Sequence, residues 1–308
     1  MNLPDRNDFL LQKAPAKINL FLHVGARRAD NFHPLQSLAV FTDMGDELAL
    51  APATALSLAV NGPFAQGLAA EADNLVLRAA RALAADKGAA LTLTKYLPVA
   101  SGIGGGSADA AAALHGLDHL WNMGRSEAAL CDLGAALGSD IPVCVAGNPA
   151  FMEGRGEILR AVDCFPRLAL LLVNPGVAVP TKDVFAALTA RSGVAMALPR
   201  GRFGDIADLL RFLETTANDL EAPAKAIQPA IAMVLAALAV LPGALFTRMS
   251  GSGATCFAIF PDDESCHRAA GLLRARNPGW WIAPTFVPEF QIAHDKTGRD
   301  IGPAPGGF

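Results

Sequence analysis

Pro98-Val99-Ala100-Ser101-Gly102-Ile103-Gly104-Gly105-Gly106-Ser107-Ala108-Asp109-Ala110 is the stretch on which the reading of this chain turns. Four of the five residues 102–106 are glycine. They separate Leu91 to Tyr96, which alternates like a strand, from Ser107 to His119, an alanine-rich run that reads as a helix. Glycines at such a junction let the backbone turn several N–H groups toward one point, and the helix that follows adds the positive end of its dipole. The stretch is therefore a candidate phosphate cradle. Two common patterns do not fit it: the dinucleotide fingerprint needs glycine where Ser107 stands, and the Walker A loop needs lysine where Ala108 stands. A tightly packed strand-to-helix turn is the competing reading.

Outward from the loop, Ile18, Leu20, Leu22 and Val24 alternate with Lys17, Asn19, Phe21 and His23, which predicts a strand and puts Lys17 and Asn19 on one face. Leu35 to Thr42, Glu47 to Leu50 and Leu56 to Val60 are further β-rich runs and predict a largely antiparallel sheet. Asp73 is placed to cap a helix through Leu75 and Leu83. Short strands are expected in Pro149 to Val162, and the apolar run Leu168 to Val173 opens what reads as a second unit. There, helices are expected near 181–190, 205–215 and 220–241. Strands are expected at Ala244 to Met249, Thr255 to Phe260 and Trp280 to Val287, with a helix from Asp262. The fold class is α+β, divided as residues 1–160 and 161–290, with 291–308 a loose tail rich in Gly, Pro and charge.

With 308 residues, 52% hydrophobic, 18% charged and a net charge of −4, the composition is that of a globular enzyme and excludes disorder and collagen-like order. An acidic balance gives no global attraction to polyanions, so neither nucleic acid nor an anionic membrane is expected as a partner. The five cysteines are odd in number, widely spaced and without a C-x-x-C pair, and they read as reduced thiols. Residues 1–17 scatter charges where a signal peptide needs an apolar run, so a cytoplasmic protein is expected. Ala226 to Thr247 carries no charge, but Pro229, Pro242 and Gly243 leave only Ala230 to Leu241 uninterrupted, too short to cross a bilayer. The six histidines show no metal-ligand spacing.

Three more segments bear on chemistry. Gly138-Ser139-Asp140-Ile141-Pro142 sets one carboxylate between a glycine and a rigid proline, where an aspartate also serves as a plain turn former or helix cap. Lys17, read alone, is a solvated strand residue. Together with a phosphate cradle the two gain meaning, because phosphoryl transfer needs a cradle, an orienting carboxylate and a cation. Met249-Ser250-Gly251-Ser252-Gly253-Ala254 lies between two apolar runs and reads either as a hairpin turn or as a place of close backbone approach to a ligand. Asn218-Asp219-Leu220 reads as a helix N-cap.

Taken in order, residues 15–24, 98–111, 138–142 and 250–254 resemble the GHMP kinase superfamily. The shared signatures are Pro15-Ala16-Lys17, the P-x-x-x-G-I-G-G-G-S loop from Pro98 and the G-S-G-A segment from Gly251; Ile18-Asn19-Leu20 and Arg28-Ala29-Asp30-Asn31-Phe32-His33 sharpen the match. The resemblance covers about residues 14 to 260. It implies an N-terminal domain of the ribosomal protein S5 domain 2-like type and a ferredoxin-like C-terminal domain. It also implies in-line transfer from ATP, with Mg²⁺, to the 2-hydroxyl of a cytidine-diphosphate-linked methylerythritol, in a non-mevalonate isoprenoid route.

On that resemblance Asp140 accepts the hydroxyl proton and Lys17 holds the carboxylate charged, as a neighbouring cation does. Pro98, Ala100, Ser101, Gly102, Ile103, Gly104, Gly105, Gly106 and Ser107 would hold ATP. Gly251, Ser252 and Gly253 would lie by the transferred group, Asn19 and His33 at the cytidine end, and Phe32 and Phe185 as a pair stacked on cytosine. The sequence departs from the family at Ala108, where a second serine is usual, and at Asn31-Phe32-His33. Asp109, in the first helical turns, is expected to point outward or toward Mg²⁺, whose ligands stay unassigned apart from the ATP phosphates. The expected partner is a small molecule with a cytidine diphosphate group, and the protein a monomer or homodimer. Three alternatives stay open: a kinase for another small alcohol such as homoserine or mevalonate, a nucleotide-binding module without catalysis, and an RNA-associated protein of the same fold. The last is opposed by the lack of a Lys/Arg cluster.

Overall fold

A computed structural model describes residues 9–29, 32–66, 68, 73–189, 193, 196–199, 201–294 and 300–303. Residues 1–8 of the stretch 1–17 read for a signal peptide, and Asp30-Asn31 of the segment Arg28–His33, lie outside the described residues, as do 295–299 and 304–308 of the expected tail. The chain divides into two compact units, neither a continuous stretch: one takes residues 1–17, 44–99 and 104–147, the other 18–43, 100–103 and 148–308.

In the first unit the main elements are β1 (Leu10–Val24), β2 (Leu35–Pro52), β3 (Leu56–Asn61), α1 (Leu75–Leu83), β4 (Ala89–Thr94), α2 (Gly105–Leu120), α3 (Glu127–Leu137) and α4 (Ile141–Ala146), the first two strands running on into the second unit. β1 starts seven residues before Lys17, where the alternation begins, because Ala14 and Ala16 are fully buried yet too small to mark an apolar face. β2 is one strand where two were expected. Gly45 interrupts its pattern but not its course: a Cβ there would collide with the Ala14 carbonyl oxygen, so the glycine admits β1 rather than ending β2.

The sheet is not wholly antiparallel. β4 pairs antiparallel with β2, Leu50 opposite Leu91, but parallel with β3, Leu58 opposite Leu91, and the β3-to-β4 crossover carries α1. Asn74, not Asp73, caps α1, its Oδ1 accepting from Val76 N–H at 2.9 Å. The alanine face of α2 lies close on the sheet. A Cβ at Gly116 would fall 2.8 Å from Leu50 Cδ1, and Ala110, Ala113, Leu114 and Leu117 are buried with Leu48, Leu50 and Leu93.

The second unit adds β5 (Ala150–Glu153), β6 (Ile158–Ala161), β7 (Cys164–Phe165), β8 (Leu168–Asn174), α5 (Thr181–Ala186), α6 (Ile206–Glu214), α7 (Glu221–Ile227), α8 (Ala230–Ala239), β9 (Phe246–Met249), β10 (Cys256–Phe260), α9 (Asp263–Arg276), β11 (Trp281–Val287), β12 (Phe290–His294) and β13 (Asp300–Pro303). An antiparallel sheet ordered β11-β8-β10-β9 has α8 and α9 packed on it over Leu171, Val173, Ala258, Phe260, Val234 and Leu273. The helix expected over 220–241 is two helices. Pro229 forbids α geometry at Gln228, which is extended at φ −133°, ψ 91°. Within the stretch expected as a tail, Gln291 pairs with Cys164 and Ile292 with Pro303, so β12 joins β7 to β13. Among the described residues no helix is long and apolar enough to cross a membrane. All five cysteines are free thiols.

Candidate active site

Lys17 and Asp140 meet in the first unit. Lys17 Nζ donates to Asp140 Oδ2 at 2.7 Å; the lysine side chain is 3% exposed and the carboxylate 39%. Read alone as a solvated strand residue, Lys17 is buried, because both faces of β1 are covered from Ala16 to Val24. Asp140 is fixed by the turn in which Ile141 N–H donates to the Gly138 carbonyl, by Pro142 at the start of α4, and by Ile141 packed on Gly134, where a Cβ would fall 2.7 Å from Ile141 Cγ2. The buried cation thus occupies one carboxylate oxygen and leaves the group half open to a ligand. One turn into α4, burial pushes the Cys144 thiol well up, so no thiolate competes beside this pair.

The glycine-rich loop turns through left-handed backbone at Ala100 (φ 51°), Gly102 (φ 77°) and Gly104 (φ 66°). Gly104 is the N-cap of α2 and supplies no side-chain acceptor to the first helical turn, so the N–H groups of that turn form a donor cluster at the positive end of a helix sixteen residues long. A Cβ on Gly104 would lie 3.0 Å from Lys17 Cβ and 3.2 Å from Lys17 Cε, which sets the start of α2 directly against the lysine stem. Asp109 departs from the expectation that it points outward or toward a metal: it is buried and holds Lys95 Nζ at 2.6 Å, because the interior offers it a cation. Among the described residues no group of three or more His, Cys, Asp or Glu is arranged to hold a metal ion.

In the second unit Ser250-Gly251-Ser252-Gly253 closes the hairpin between β9 and β10, with Ser250 N–H donating to the Thr255 carbonyl at 2.9 Å. This hairpin touches the glycine-rich loop itself. Ser250 Oγ donates to the Gly102 carbonyl at 3.0 Å, Thr255 N–H donates to the Ser101 carbonyl at 3.0 Å, and Asn19 N–H donates to Ser250 Oγ at 3.1 Å. A Cβ on Gly102 would stand 2.6 Å from the Ser250 oxygen, and one on Gly251 2.7 Å from the Gly102 oxygen. Thr181 and Ser252 share a hydrogen bond of 2.8 Å between their hydroxyls.

Asn218, read as a helix cap, does more. Its Nδ2 donates to the carbonyls of Met249 and Gly251, both at 2.8 Å, while its Oδ1 accepts from Leu220 N–H. Its backbone runs beside the end of β1, where Leu22 N–H donates to the Ala217 carbonyl and Asp219 N–H to that of Leu22. The Asn-Asp pair ahead of a helix was the only signal of this role. Upstream on β9, buried Arg248 donates to the carbonyls of Leu20, Leu213 and Thr216 and to the Thr216 hydroxyl, and burial lowers its guanidinium to about 10.

The residues expected at the cytidine end lie in this same unit. Asn19 is buried and its Nδ2 donates to Ser37 Oγ at 2.7 Å. His33 Nδ1 pairs with the Gly25 carbonyl, and its ring lies 5.8 Å from that of Phe185 at 31°. Phe185 therefore has His33 as its ring neighbour. Phe32, 49% exposed, carries the Arg155 guanidinium 4.6 Å over its ring.

The family model described as GHMP kinases N terminal domain matches residues 74–148, and that described as GHMP kinases C terminal matches 195–275. The 4-diphosphocytidyl-2-C-methyl-D-erythritol kinase of Cereibacter sphaeroides is 52% identical over 272 residues, 88% of this chain and 96% of that protein. A crystal structure of a 4-(cytidine 5'-diphospho)-2C-methyl-D-erythritol kinase superposes with a TM-score of 0.70 at 31% identity, covering 91% of this chain and 100% of that one. Homoserine kinase from Cytophaga hutchinsonii shares the fold, with a TM-score of 0.68 at 17% identity over 94% of this chain and 97% of that one.

Proposed function

The chain belongs to the 4-diphosphocytidyl-2-C-methyl-D-erythritol kinase family of the GHMP kinases, and from that premise we propose that it transfers the terminal phosphoryl group of ATP to the 2-hydroxyl of 4-diphosphocytidyl-2-C-methyl-D-erythritol, giving the 2-phosphate and ADP in isoprenoid precursor synthesis in the cytoplasm. The observation that carries this reading is the Lys17–Asp140 pair, with Lys17 packed against Gly104, the N-cap of helix α2, which gives the helix no side-chain cap. Phosphoryl transfer asks a protein for positioning and charge compensation more than for covalent chemistry. Asp140 accepts the hydroxyl proton as the new O–P bond forms and the bond to the ADP oxygen breaks. Lys17 fixes that carboxylate and adds positive charge beside the transferred group.

The loop Pro98–Ser107 holds the ATP phosphates with backbone N–H groups, and Gly251, Ser252 and Gly253 line the transferred group. Mg²⁺ enters as part of the Mg–ATP co-substrate, where it would neutralise phosphate charge. At the cytidine end we assign Asn19, Phe32, His33 and Phe185, with the rings offering faces for the base.

The test is ADP release from Mg–ATP with the cytidyl alcohol, beside homoserine and mevalonate, with CMP as competitor. Turnover with the cytidyl alcohol, inhibited by CMP in competition with it and not with ATP, is the expected result. Turnover on another alcohol alone overturns the substrate assignment, and ATP binding without ADP release on any of the three overturns the enzyme.

A further inference from the structure

Three charged side chains outside the machinery above are packed together beneath the nucleotide loop. Asp46 on β2, Lys95 immediately after β4 and Asp109 in α2 are exposed by only 0%, 3% and 4%. Asp46 Oδ1 accepts from the N–H groups of Tyr96 at 2.6 Å and Leu97 at 2.9 Å, the two residues ahead of Pro98. Lys95 Nζ donates to Asp46 Oδ2 and, at 2.6 Å, to Asp109 Oδ2. A Cβ on Gly105 would lie 3.5 Å from Lys95 Nζ and 3.6 Å from Asp46 Oδ2, so the cluster sits against the point where loop becomes helix. Asp46 therefore grips the entrance of the loop and Asp109 its exit, with Lys95, 14 residues ahead of Asp109, joining the two carboxylates.

Stability alone does not account for the cluster. Burying one cation with two carboxylates is costly, and apolar residues of the same volume usually serve a core as well or better. Burial also pushes the Asp109 carboxyl up to about 7 against the pull of Lys95, and its second oxygen has no hydrogen-bond partner. What the cluster does supply is a fixed separation between the two ends of a glycine-rich segment that would otherwise sample many conformations. We propose that Asp46, Lys95 and Asp109 are positioning residues for ATP, a brace that holds the loop Pro98–Ser107 in its phosphate-binding shape. This rests on the assignment of that loop to the ATP phosphates.

Asp109→Asn keeps the volume and removes the charge at the loop exit. Asp46→Asn keeps an acceptor for Tyr96 and Leu97 but loses the ion pair to Lys95. In each full-length variant, KM for ATP, KM for the cytidyl alcohol and kcat would be measured beside the calorimetric Kd for ATP and the thermal midpoint. The brace predicts a rise of at least tenfold in KM and Kd for ATP, with KM for the alcohol within twofold, and partial recovery in Asp109→Glu, which restores the charge. A folded variant with an ATP Kd within twofold of the parent overturns it, as does an equal rise in both KM values. Failure of both Asn variants to fold also overturns it, since the cluster then serves the fold and not the loop. A parent protein that binds ATP without phosphorylating the alcohol refutes the assigned reaction instead, and leaves the ATP Kd values to decide on the brace.

Discussion

Replacing Asp140 by Asn separates the chemical role of the carboxylate from its structural one. At 2.7 Å the Lys17–Asp140 pair is worth about 1.5 kcal/mol at the dielectric of water and about 6 kcal/mol at an effective dielectric of 20, and a carboxylate 39% exposed lies toward the lower figure. Asparagine still offers an oxygen to the buried Lys17 ammonium, so a charge-assisted hydrogen bond survives and the loss of stability is about 1–2 kcal/mol. That is small against the roughly 5–15 kcal/mol that hold a domain folded. What asparagine does not do is take a proton. A positioned general base contributes about 10²–10⁴-fold, or about 3–5 kcal/mol of barrier, and kcat should fall by that factor. KM for ATP should stay within about threefold, because the proposed phosphate donors are backbone groups of the loop and of α2. The assay is coupled ADP release under saturating ATP and cytidyl alcohol, with urea unfolding on the same preparation. A folded Asp140→Asn protein that keeps more than a tenth of the parent kcat refutes Asp140 as the base.

Three further outcomes follow from distances already given. Gly102→Ala forces a Cβ to within 2.6 Å of the Ser250 oxygen at a φ of 77°, so it should cost about 2–3 kcal/mol in urea unfolding and raise KM for ATP by an order of magnitude or more. Asn218→Ala removes both donors to the Met249 and Gly251 carbonyls; a loss of about 1–3 kcal/mol is expected, with a drop in kcat that differential scanning and turnover assays would register together. His23 accepts the Ala217 N–H through Nε2, and burial holds its imidazole below its ordinary 6.5. The unfolded chain therefore takes up the proton first: this contribution is complete above about pH 6.5 and declines as pH falls through it. Chemical unfolding from pH 8 to 5 should show that decline, and a His23→Gln variant should flatten it.

The parts of the molecule that were legible in the sequence are those where one residue type has few uses. Glycine at 102 and 104 stands at positive φ in a turn that a side chain would block, whereas the burial of Lys17 was not legible, because alternation marks the face of Ile18 and Leu20 and both faces of β1 are covered from Ala16 to Val24. Gly45 misled because the same residue that breaks a strand in one setting admits a neighbouring backbone in another, and only the position of Ala14 distinguishes them. Asp109 misled because an acidic residue near a helix start is ordinarily turned to water, and its partner Lys95 lies on another element. Asn218 was hidden for a similar reason. Its cap-like bond to Leu220 is local and readable, whereas its bonds to Met249 and Gly251 reach 31 and 33 residues along the chain. Local chemistry can be read from spacing, but a side chain with two jobs shows only the nearer one.

Helix α2 begins at a glycine that offers its first turn no side-chain acceptor. On the reading proposed here, the missing acceptor is a phosphate, which makes the nucleotide part of the secondary structure as well as a reactant. The folded population then answers to nucleotide supply: at a thousandfold excess over its dissociation constant a ligand of the native state adds about 4 kcal/mol, comparable with the margin by which many domains stay folded. An energy-depleted cell would hold this chain in its less protected form, with the amide hydrogens of the first turn of α2 exchanging soonest, so turnover of the polypeptide would follow the same small molecule as turnover of its substrate.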